Sequence, residues 1–496
     1  MSLGRLVAYA GASLVVLSAP AAGAPVAGGG DAPLLRILAR ELPRAQRAAI
    51  TAASGDPLAA QAQYEAGRDL QEALRAAQPV GERCRPLSAA LSTFAQAQIG
   101  QAEGVDRLAP ALSARARRAA DEAAGRIASA RRRCRPGIAR AAPAIPELRT
   151  PRTGEAFFGD VEASTPAGAT SADILVDSRR LAHVAARGPR VHYRLRLRPG
   201  RYTITVRFSA GSGRAVGRAR AARVWLLPRT ARRAIRPHRS DRSIERAFAA
   251  AGRAFNGYSG IWFHDLSDGR TAAWNANAAF PAASTVKLAV LVAALRRFGP
   301  RPERSRVAYD LSALSAWSSN LATNRLLVKL GGSEARGAAI AQQVLTRLGA
   351  RSSTFTGAYR VGTSAFRRAD RPPLVSSRVT TARDLGRILF ALNAAAGGSV
   401  THRRLLGLSR HEARVGLALL LSSEAAGDNI GLFRPSLPPR LPAAQKHGWL
   451  SAARHSAAVL YPADGPRIVV LLTYRPGITR PEAARLGRRV GALALR

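Results

Sequence analysis

Lysine is nearly absent from this 496-residue chain. Of its 76 basic residues, 73 are arginines, and the three lysines are Lys287, Lys329 and Lys446. Arginine stays protonated at physiological pH, whereas a buried lysine can lose its proton and act as a base. Each lysine position therefore raises the question of whether the site requires an amine that arginine cannot replace.

Cysteine is also scarce, because Cys84 and Cys134 are the only two in the chain. Two isolated cysteines argue against a metal site or thiol catalysis, and an even pair in an exported protein favours a disulfide. Closing a loop of this length stabilises a fold by roughly 4 kcal/mol on the chain-entropy model. We predict a disulfide between Cys84 and Cys134, and no metal or cofactor.

The N-terminal apolar run is too short to span a bilayer comfortably. Arg5 precedes the run from Leu6 to Leu17, and small residues follow from Ala19 to Ala24, which is the pattern of an export signal. Prolines and glycines in this region argue against the alternative of an uncleaved anchor, and the missing cysteine argues against a lipoprotein. We expect a signal peptide at residues 1–24 and a secreted or cell-envelope protein.

Acidic residues are few, 31 against 76 basic ones, so the net charge is +45. This excess points to polyanionic surroundings such as acidic wall polymer, anionic lipid or nucleic acid. The arginines are spread over every segment, without the concentrated basic and aromatic patch of a nucleic-acid site. We favour a basic surface that contacts anionic cell-wall polymer over specific nucleic-acid binding.

The length predicts two or three domains. Residues 33–142 have apolar residues at helical spacing and turn signals at Gly55, Pro79 and Pro110, which predict a helical domain of three or four helices. After a linker at Pro143 to Pro151, the pattern changes to a period of two.

Residues 148–228 alternate apolar and polar side chains, most clearly from Val191 to Leu197 and from Tyr202 to Phe208. Such short alternating runs around the Pro199-Gly200 turn predict a small immunoglobulin-like β-sandwich. The arginine-rich run from Arg229 to Arg242 then indicates a second linker.

Residues 243–496 begin and end with strand patterns and have helical patterns between them. A hairpin is predicted from Ile261 to Trp274, and further strands are predicted between Gly448 and Tyr474. Strands from both ends of the segment predict one antiparallel sheet with helices on its faces, so the chain as a whole is predicted to be α+β.

Two of the three lysines lie in motifs that carry chemistry. Ser284-Thr285-Val286-Lys287 leads into a helix that is apolar on nearly all sides, so the lysine amine is expected near the serine hydroxyl in a buried setting. Burial and nearby cations lower the pKa of such a lysine and let it act as a base. A serine at the start of a helix also favours the oxyanion formed on acylation.

Ser318-Ser319-Asn320 and Lys446-His447-Gly448 follow downstream, the second at the head of a predicted strand. With Ser284-x-x-Lys287, these motifs and their order resemble the class A β-lactamases and their penicillin-binding relatives over the C-terminal half of the chain. The resemblance implies a serine hydrolase that acts on cyclic amides or on D-Ala-D-Ala peptides.

The resemblance also assigns roles to individual residues. It makes Ser284 the nucleophile, Lys287 its base and Ser318 the proton relay to the leaving nitrogen. It makes the backbone N–H groups of Ser284 and Trp449 the oxyanion hole. It assigns substrate binding to the remaining residues: Asn320, Lys446, His447, Gly448, Trp449 and Arg454.

The sequence departs from the family pattern at two important places. The glutamate that activates the deacylating water in these lactamases has no counterpart, because no glutamate occurs between Glu334 and Glu412. Asp370 is the only carboxylate ahead of Thr380 in that interval, and its arginine-rich setting favours a surface charge over water activation. His447 replaces a hydroxyl residue and is expected either to hydrogen-bond the substrate carboxylate or to pack against Trp449.

Three functions compete at this point. The first is a β-lactamase-like hydrolase with slow deacylation, and the second is a peptidase or transpeptidase acting on peptidoglycan stem peptides. The third is a non-catalytic envelope-binding protein with a vestigial C-terminal domain. The retained lysines argue against the third, and the missing glutamate favours the second over rapid lactam turnover.

Overall fold

The computed structural model describes residues 32–52, 57–78, 80–134, 147–230, 239–361, 378–425 and 431–496. The chain forms two compact units, Met1–Pro143 and Ala144–Arg496. The signal peptide predicted at residues 1–24 and the side chain of Asp370 lie outside the described residues, so both interpretations stay predictions. Among the described helices, none is long and apolar enough to cross a membrane.

The first unit is helical. Its helices are α1 (Ala32–Ala52), α2 (Pro57–Ala76), α3 (Arg85–Asp106) and α4 (Pro110–Arg133). Two of them begin at a proline, which suits the first helical position because its missing N–H has no intrahelical partner there. One fully buried apolar residue from each helix illustrates the shared core: Leu34, Leu70, Leu91 and Ile127.

The predicted disulfide is present between Cys84 and Cys134, whose Cα atoms are 4.4 Å apart. Cys84 directly precedes α3, and Cys134 directly follows α4. The bond therefore joins the outer ends of two helices that pack against each other, across a sequence separation of 50 residues.

The second unit begins with two small sheets. Its strands are β1 (Ala156–Phe157), β2 (Asp160–Ser164), β3 (Ser171–Val176), β4 (Arg179–Ala185), β5 (Arg190–Arg194), β6 (Gly200–Ser209) and β7 (Ala215–Leu226). One sheet has the order β1-β7-β6-β3-β4, and the other consists of β2 and β5. Val161 and Val191 from the small sheet share a core with Ile174 and Val206 from the large one. The immunoglobulin-like domain at residues 148–228 stays a prediction, and β5 ends at Arg194 rather than at Leu197.

The rest of the second unit combines a six-stranded sheet with nine helices among its described residues. The strands are β8 (Arg239–Ser240), β9 (Tyr258–Asp265), β10 (Arg270–Trp274), β11 (Phe280–Pro281), β12 (Val379–Thr380), β13 (Ala443–Leu450), β14 (Ala453–Leu460) and β15 (Arg467–Tyr474). The helices are α5 (Arg242–Arg253), α6 (Lys287–Phe298), α7 (Ala308–Ala316), α8 (Asn320–Gly331), α9 (Glu334–Arg347), α10 (Ala382–Gly397), α11 (Val400–Leu406), α12 (Arg410–Leu421) and α13 (Arg480–Ala494).

The order of the large sheet is β13-β14-β15-β9-β10-β8, so strands from both ends of the domain lie side by side. All its pairs are antiparallel except that of β8 with β10. The residues of β8 had been expected to belong to the second linker. Ile261 and Phe263 on β9 pack with α5 and α13, while Trp262 between them packs with the central helices. This alternation covers both faces of the sheet with helices. The predicted α+β class is confirmed.

A buried ion cluster joins the small sheets to this helical layer. Glu155, just before β1, is 2% exposed and lies 2.6 Å from His411 Nδ1 on α12. Arg414 Nη1 donates to the same carboxylate at 3.4 Å, and the other nitrogen of His411 lies 3.2 Å from Glu303. Burial alone would lower the pKa of His411, but its hydrogen bonds to Glu155 and Glu303 raise it to about 9. The imidazole is therefore a cation between two carboxylates at neutral pH.

Candidate active site

Ser284 lies in a tight turn between β11 and α6, directly before the helix that buries Lys287. The backbone N–H of Lys287 donates to the carbonyl of Ser284 at 3.2 Å, and the helix itself begins at Lys287. Ala283, the residue before Ser284, has a φ of +49°, a left-handed conformation that costs a non-glycine residue energy and is frequent at functional sites. Ser284 is thus presented by a strained turn rather than by the first helical turn that its sequence indicated.

The amine of Lys287 is held by oxygens of the second motif. Lys287 is fully buried, and its Nζ donates to the carbonyl of Ser318 at 2.6 Å and to Oδ1 of Asn320 at 2.7 Å. Both acceptors are at the start of α8, where Ser319 caps the helix by accepting from the N–H of Ala322. The turn at Ser318, with a φ of +62°, therefore places the second motif directly against the first.

Lys446 approaches Ser318 from β13. Its Nζ donates to Oγ of Ser318 at 2.7 Å and to the carbonyl of His447 at 2.9 Å. Burial lowers the pKa of Lys446 well below its usual value, and the charge of Lys287 lowers it further. Ser318 thus contacts both lysines, one through its carbonyl and the other through its hydroxyl.

Gly448 lets the edge strand β13 run against the Ser284 turn. A Cβ atom at this position would lie 2.7 Å from the backbone nitrogen of Ser284 and 2.9 Å from Cβ of Ala283. Any larger residue would push the strand away from the turn, because these are backbone or short rigid neighbours. The third motif therefore brings its strand to the backbone N–H of Ser284, beside which an oxyanion would be bound.

The three motifs contact one another, and a family comparison agrees with them. A model described as the beta-lactamase enzyme family matches residues 242–301 and 304–496. The chain belongs to this family. The resemblance of its motifs predicted this family. No curated protein matches the chain.

Solved structures similar to this protein cover about half of the chain. A beta-lactamase from Sphaerobacter thermophilus DSM 20745 is 18% identical, covers 51% of this chain and 97% of its own, and has a TM-score of 0.40. PBP-A is 18% identical, with coverages of 52% and 96% and a TM-score of 0.40. A beta-lactamase from Streptomyces albus G is 21% identical, with coverages of 50% and 98% and a TM-score of 0.38.

Tyr359 also lies at this site, although the sequence analysis did not single it out. Asn324 on α8 holds its backbone by two hydrogen bonds of 2.7 Å, one to the carbonyl and one from the N–H. The phenol donates to the carbonyl of Ala283 at 3.1 Å, and the ring centroid lies 4.2 Å from Nζ of Lys287 and 4.1 Å from Cζ of Arg378. The only sequence signal was Asn324, which lies one helical turn after Asn320.

The chemical state of Tyr359 follows from its surroundings. Burial raises the pKa of its phenol, and the nearby charge of Arg378 reverses only part of that rise. The hydroxyl therefore stays protonated at physiological pH and serves as a hydrogen-bond donor rather than as a base.

His447 and Arg454 lie with Trp449 rather than with Ser318. His447 is 2% exposed, and its ring centroid is 6.3 Å from that of Trp449. Neither ring nitrogen has a hydrogen-bond partner among the described residues, and burial followed by the charge of Lys446 lowers its pKa well below the usual value. Arg454 pairs with Trp449 across the strands and places Cζ 4.8 Å from the indole centroid. Their roles toward a substrate carboxylate stay predictions.

Proposed function

We propose that Ser284 forms an acyl-enzyme with β-lactams. The observation that supports this most strongly is the placement of both motif lysines on Ser318, with Lys287 three residues after the candidate nucleophile. Two buried amines close together repel when both are protonated, which favours loss of a proton from the pair. We take Lys287, three residues after Ser284, as the lysine that accepts the hydroxyl proton, which requires it to be the neutral member of the pair when the lactam carbonyl is attacked.

The proposed reaction uses each of the three motifs. Oγ of Ser284 attacks the lactam carbonyl carbon while Lys287 accepts the hydroxyl proton. The backbone N–H groups of Ser284 and Trp449 stabilise the oxyanion. When the C–N bond breaks, the hydroxyl of Ser318 passes a proton to the leaving nitrogen and regains one from the lysine pair. Lys446 binds the substrate carboxylate and supports Ser318, and Asn320 holds the substrate amide.

A fluorescent penicillin tests acylation directly. We expect covalent labelling of the purified protein, detected by gel fluorescence and as an adduct in intact mass spectrometry, and no labelling of Ser284→Ala. Circular dichroism of both proteins controls for folding. A folded wild-type protein without an adduct would refute this function and would favour the non-catalytic envelope-binding alternative.

Deacylation is proposed to be slow because Tyr359 occupies the space beside Lys287 and Ala283 without supplying a base. Its phenol stays protonated, and the sequence has no glutamate between Glu334 and Glu412. We expect the penicillin adduct to persist for hours. Tyr359→Glu would place a carboxylate beside Lys287 and is expected to shorten the lifetime of the adduct by at least about tenfold. Tyr359→Phe is the matched control and should leave the lifetime long.

A peptidase or transpeptidase acting on stem peptides that end in D-Ala-D-Ala is the second candidate. The same Tyr359 observation favours it, because an acyl-enzyme that excludes water survives long enough to react with an amine. We expect release of D-alanine from a D-Ala-D-Ala peptide, with transfer to an added amino acid exceeding hydrolysis. Hydrolysis of penicillin within seconds, without peptide turnover, would exclude this candidate.

Export to the cell envelope is part of the proposal. The disulfide between Cys84 and Cys134 supports it, because such bonds form in oxidising compartments. Fractionation of the producing cells, with mass spectrometry of the mature N-terminus, should find the protein outside the cytoplasm and starting near Pro25. A cytoplasmic protein with an intact N-terminus would contradict export.

A further inference from the structure

A cavity of about 600 Å³ lies away from Ser284, against the small sheets of the second unit. One wall is the segment from Arg194 to Pro199, which follows β5, and another is the segment that follows β7. Ala463, in the turn between β14 and β15, completes the lining. The cavity therefore spans the junction between the small sheets and the hydrolase part, and the proposed reaction uses none of its residues.

Arginine dominates the polar lining of this cavity. Arg194, Arg196 and Arg198 occupy alternate positions of one segment, and all three are exposed. Leu195 between them is 4% exposed and belongs to the core of the two small sheets. The buried leucine anchors the segment, so the three guanidinium groups are presented from a fixed backbone.

Within the described residues these three side chains form no ion pair, although Asp160 lies opposite Arg194 in the register of β2 and β5. None of the three has a carboxylate or a hydrogen-bond acceptor for its side chain among the described residues. Other arginines of the same domain do: Arg190 on β5 lies 3.2 Å from Glu162, and Arg229, which also lines the cavity, is paired with Asp160. Three unpaired cations on a concave surface concentrate anions there.

We propose that this cavity binds a linear phosphodiester polymer of the polyol-phosphate type. The planar guanidinium group matches the oxygens of a phosphate with two parallel hydrogen bonds, and a row of three suits a repeating anion better than a single ion. The one aromatic residue of the lining, Phe158, is 3% exposed, so a nucleic-acid base finds no ring to stack on. The bound polymer would hold the hydrolase at an anionic matrix.

Fluorescence anisotropy with a labelled poly(glycerol phosphate) oligomer tests this site in the full chain. We compare the wild type with Arg194→Gln/Arg196→Gln/Arg198→Gln over a range of salt concentrations. Binding should weaken at least about tenfold, and the slope of log K against log salt should fall by roughly 2–3 as the phosphate contacts are lost. Arg207→Gln/Arg214→Gln/Arg218→Gln removes three exposed arginines from β6, β7 and the turn between them, and should bind nearly as the wild type does.

Further comparisons in the same binding experiment distinguish this site from general charge attraction. The triple lysine variant at 194, 196 and 198 keeps the charge but loses the paired hydrogen bonds, and should bind severalfold more weakly than the wild type. The inference is overturned if the control triple loses as much affinity as the cavity triple, or if the lysine variant binds like the wild type. It is also overturned if single-stranded DNA or poly(glutamate) of equal charge competes as well as the polyol phosphate. Penicillin labelling and circular dichroism show in each case that the variant is folded.

Discussion

Two basic side chains of the second unit, His411 at the junction and Lys446 at the candidate active site, differ in the groups that surround them. His411 lies between the carboxylates of Glu155 and Glu303, and its pKa is raised to about 9. Lys446 donates instead to a hydroxyl and a carbonyl, and its pKa is lowered well below the usual value. The two carboxylates keep His411 protonated as a structural cation, whereas burial and the neighbouring charge of Lys287 favour the neutral form of Lys446. This difference separates the junction of the unit from its candidate active site.

Replacement of Lys287 by arginine is expected to have the largest effect on the rate of penicillin labelling. Lys287→Arg keeps a cation within reach of Ser318 but cannot accept a proton from Ser284. Loss of a general base lowers rates by roughly 10²–10⁴-fold, so we expect the rate of penicillin labelling to fall by that amount. Stopped-flow measurement of the labelling rate tests it, with thermal unfolding as the control for folding. A folded variant that labels at the wild-type rate would show that Lys287 is not the base.

At the junction, the raised pKa of His411 predicts that the free energy of unfolding depends on pH. The pKa of His411 is higher in the folded protein than its usual unfolded value of about 6.5, so its stabilising contribution is complete below pH 6.5 and is lost as the pH rises through 9. This contribution is about 3 kcal/mol. Over the interval from pH 6 to pH 9.5, urea unfolding should show the wild type losing about 3 kcal/mol more stability than His411→Gln does. Equal pH dependence in the two proteins would contradict the ion cluster.

Sequence motifs named the residues of the candidate site but not those of the junction, and the reason is physical. Ser284-x-x-Lys287 and Lys446-His447-Gly448 are short motifs that can be recognised before the fold is known, and the structure brings both of their lysines to Ser318. Tyr359 could not be found in this way, because its role depends on Asn324 holding its backbone beside Lys287.

The ion cluster of the junction is still harder to infer from sequence. Glu155 and His411 are separated by 256 residues and meet only after the small sheets pack on α12. The fold class followed from the periodicity of the segments, whereas such pairings across the unit require the packed structure.

Replacement of Lys446 by arginine is expected to have a smaller effect than that of Lys287, because Lys446 supports Ser318 rather than accepting the proton of Ser284. A guanidinium group in this fully buried position would keep its charge and lose the hydrogen bond to Oγ of Ser318 in its present geometry. Removing one partner of a buried hydrogen bond costs about 1–3 kcal/mol, which corresponds to roughly 5–150-fold in the labelling rate. A loss equal to that of Lys287→Arg would instead assign the base to Lys446.

Replacement of the third lysine is expected to have the smallest effect. Lys329 lies on α8, half-buried and outside the three motifs. Lys329→Arg changes the same side chain in the same way as the two site variants, and labelling should stay within about twofold of the wild type because surface changes of this kind have small effects. The comparison of the three variants separates a need for lysine at particular positions from a general intolerance of arginine. If Lys329→Arg lost labelling while folded, lysine scarcity would no longer mark the active site, and only the contacts with Ser318 would support that assignment.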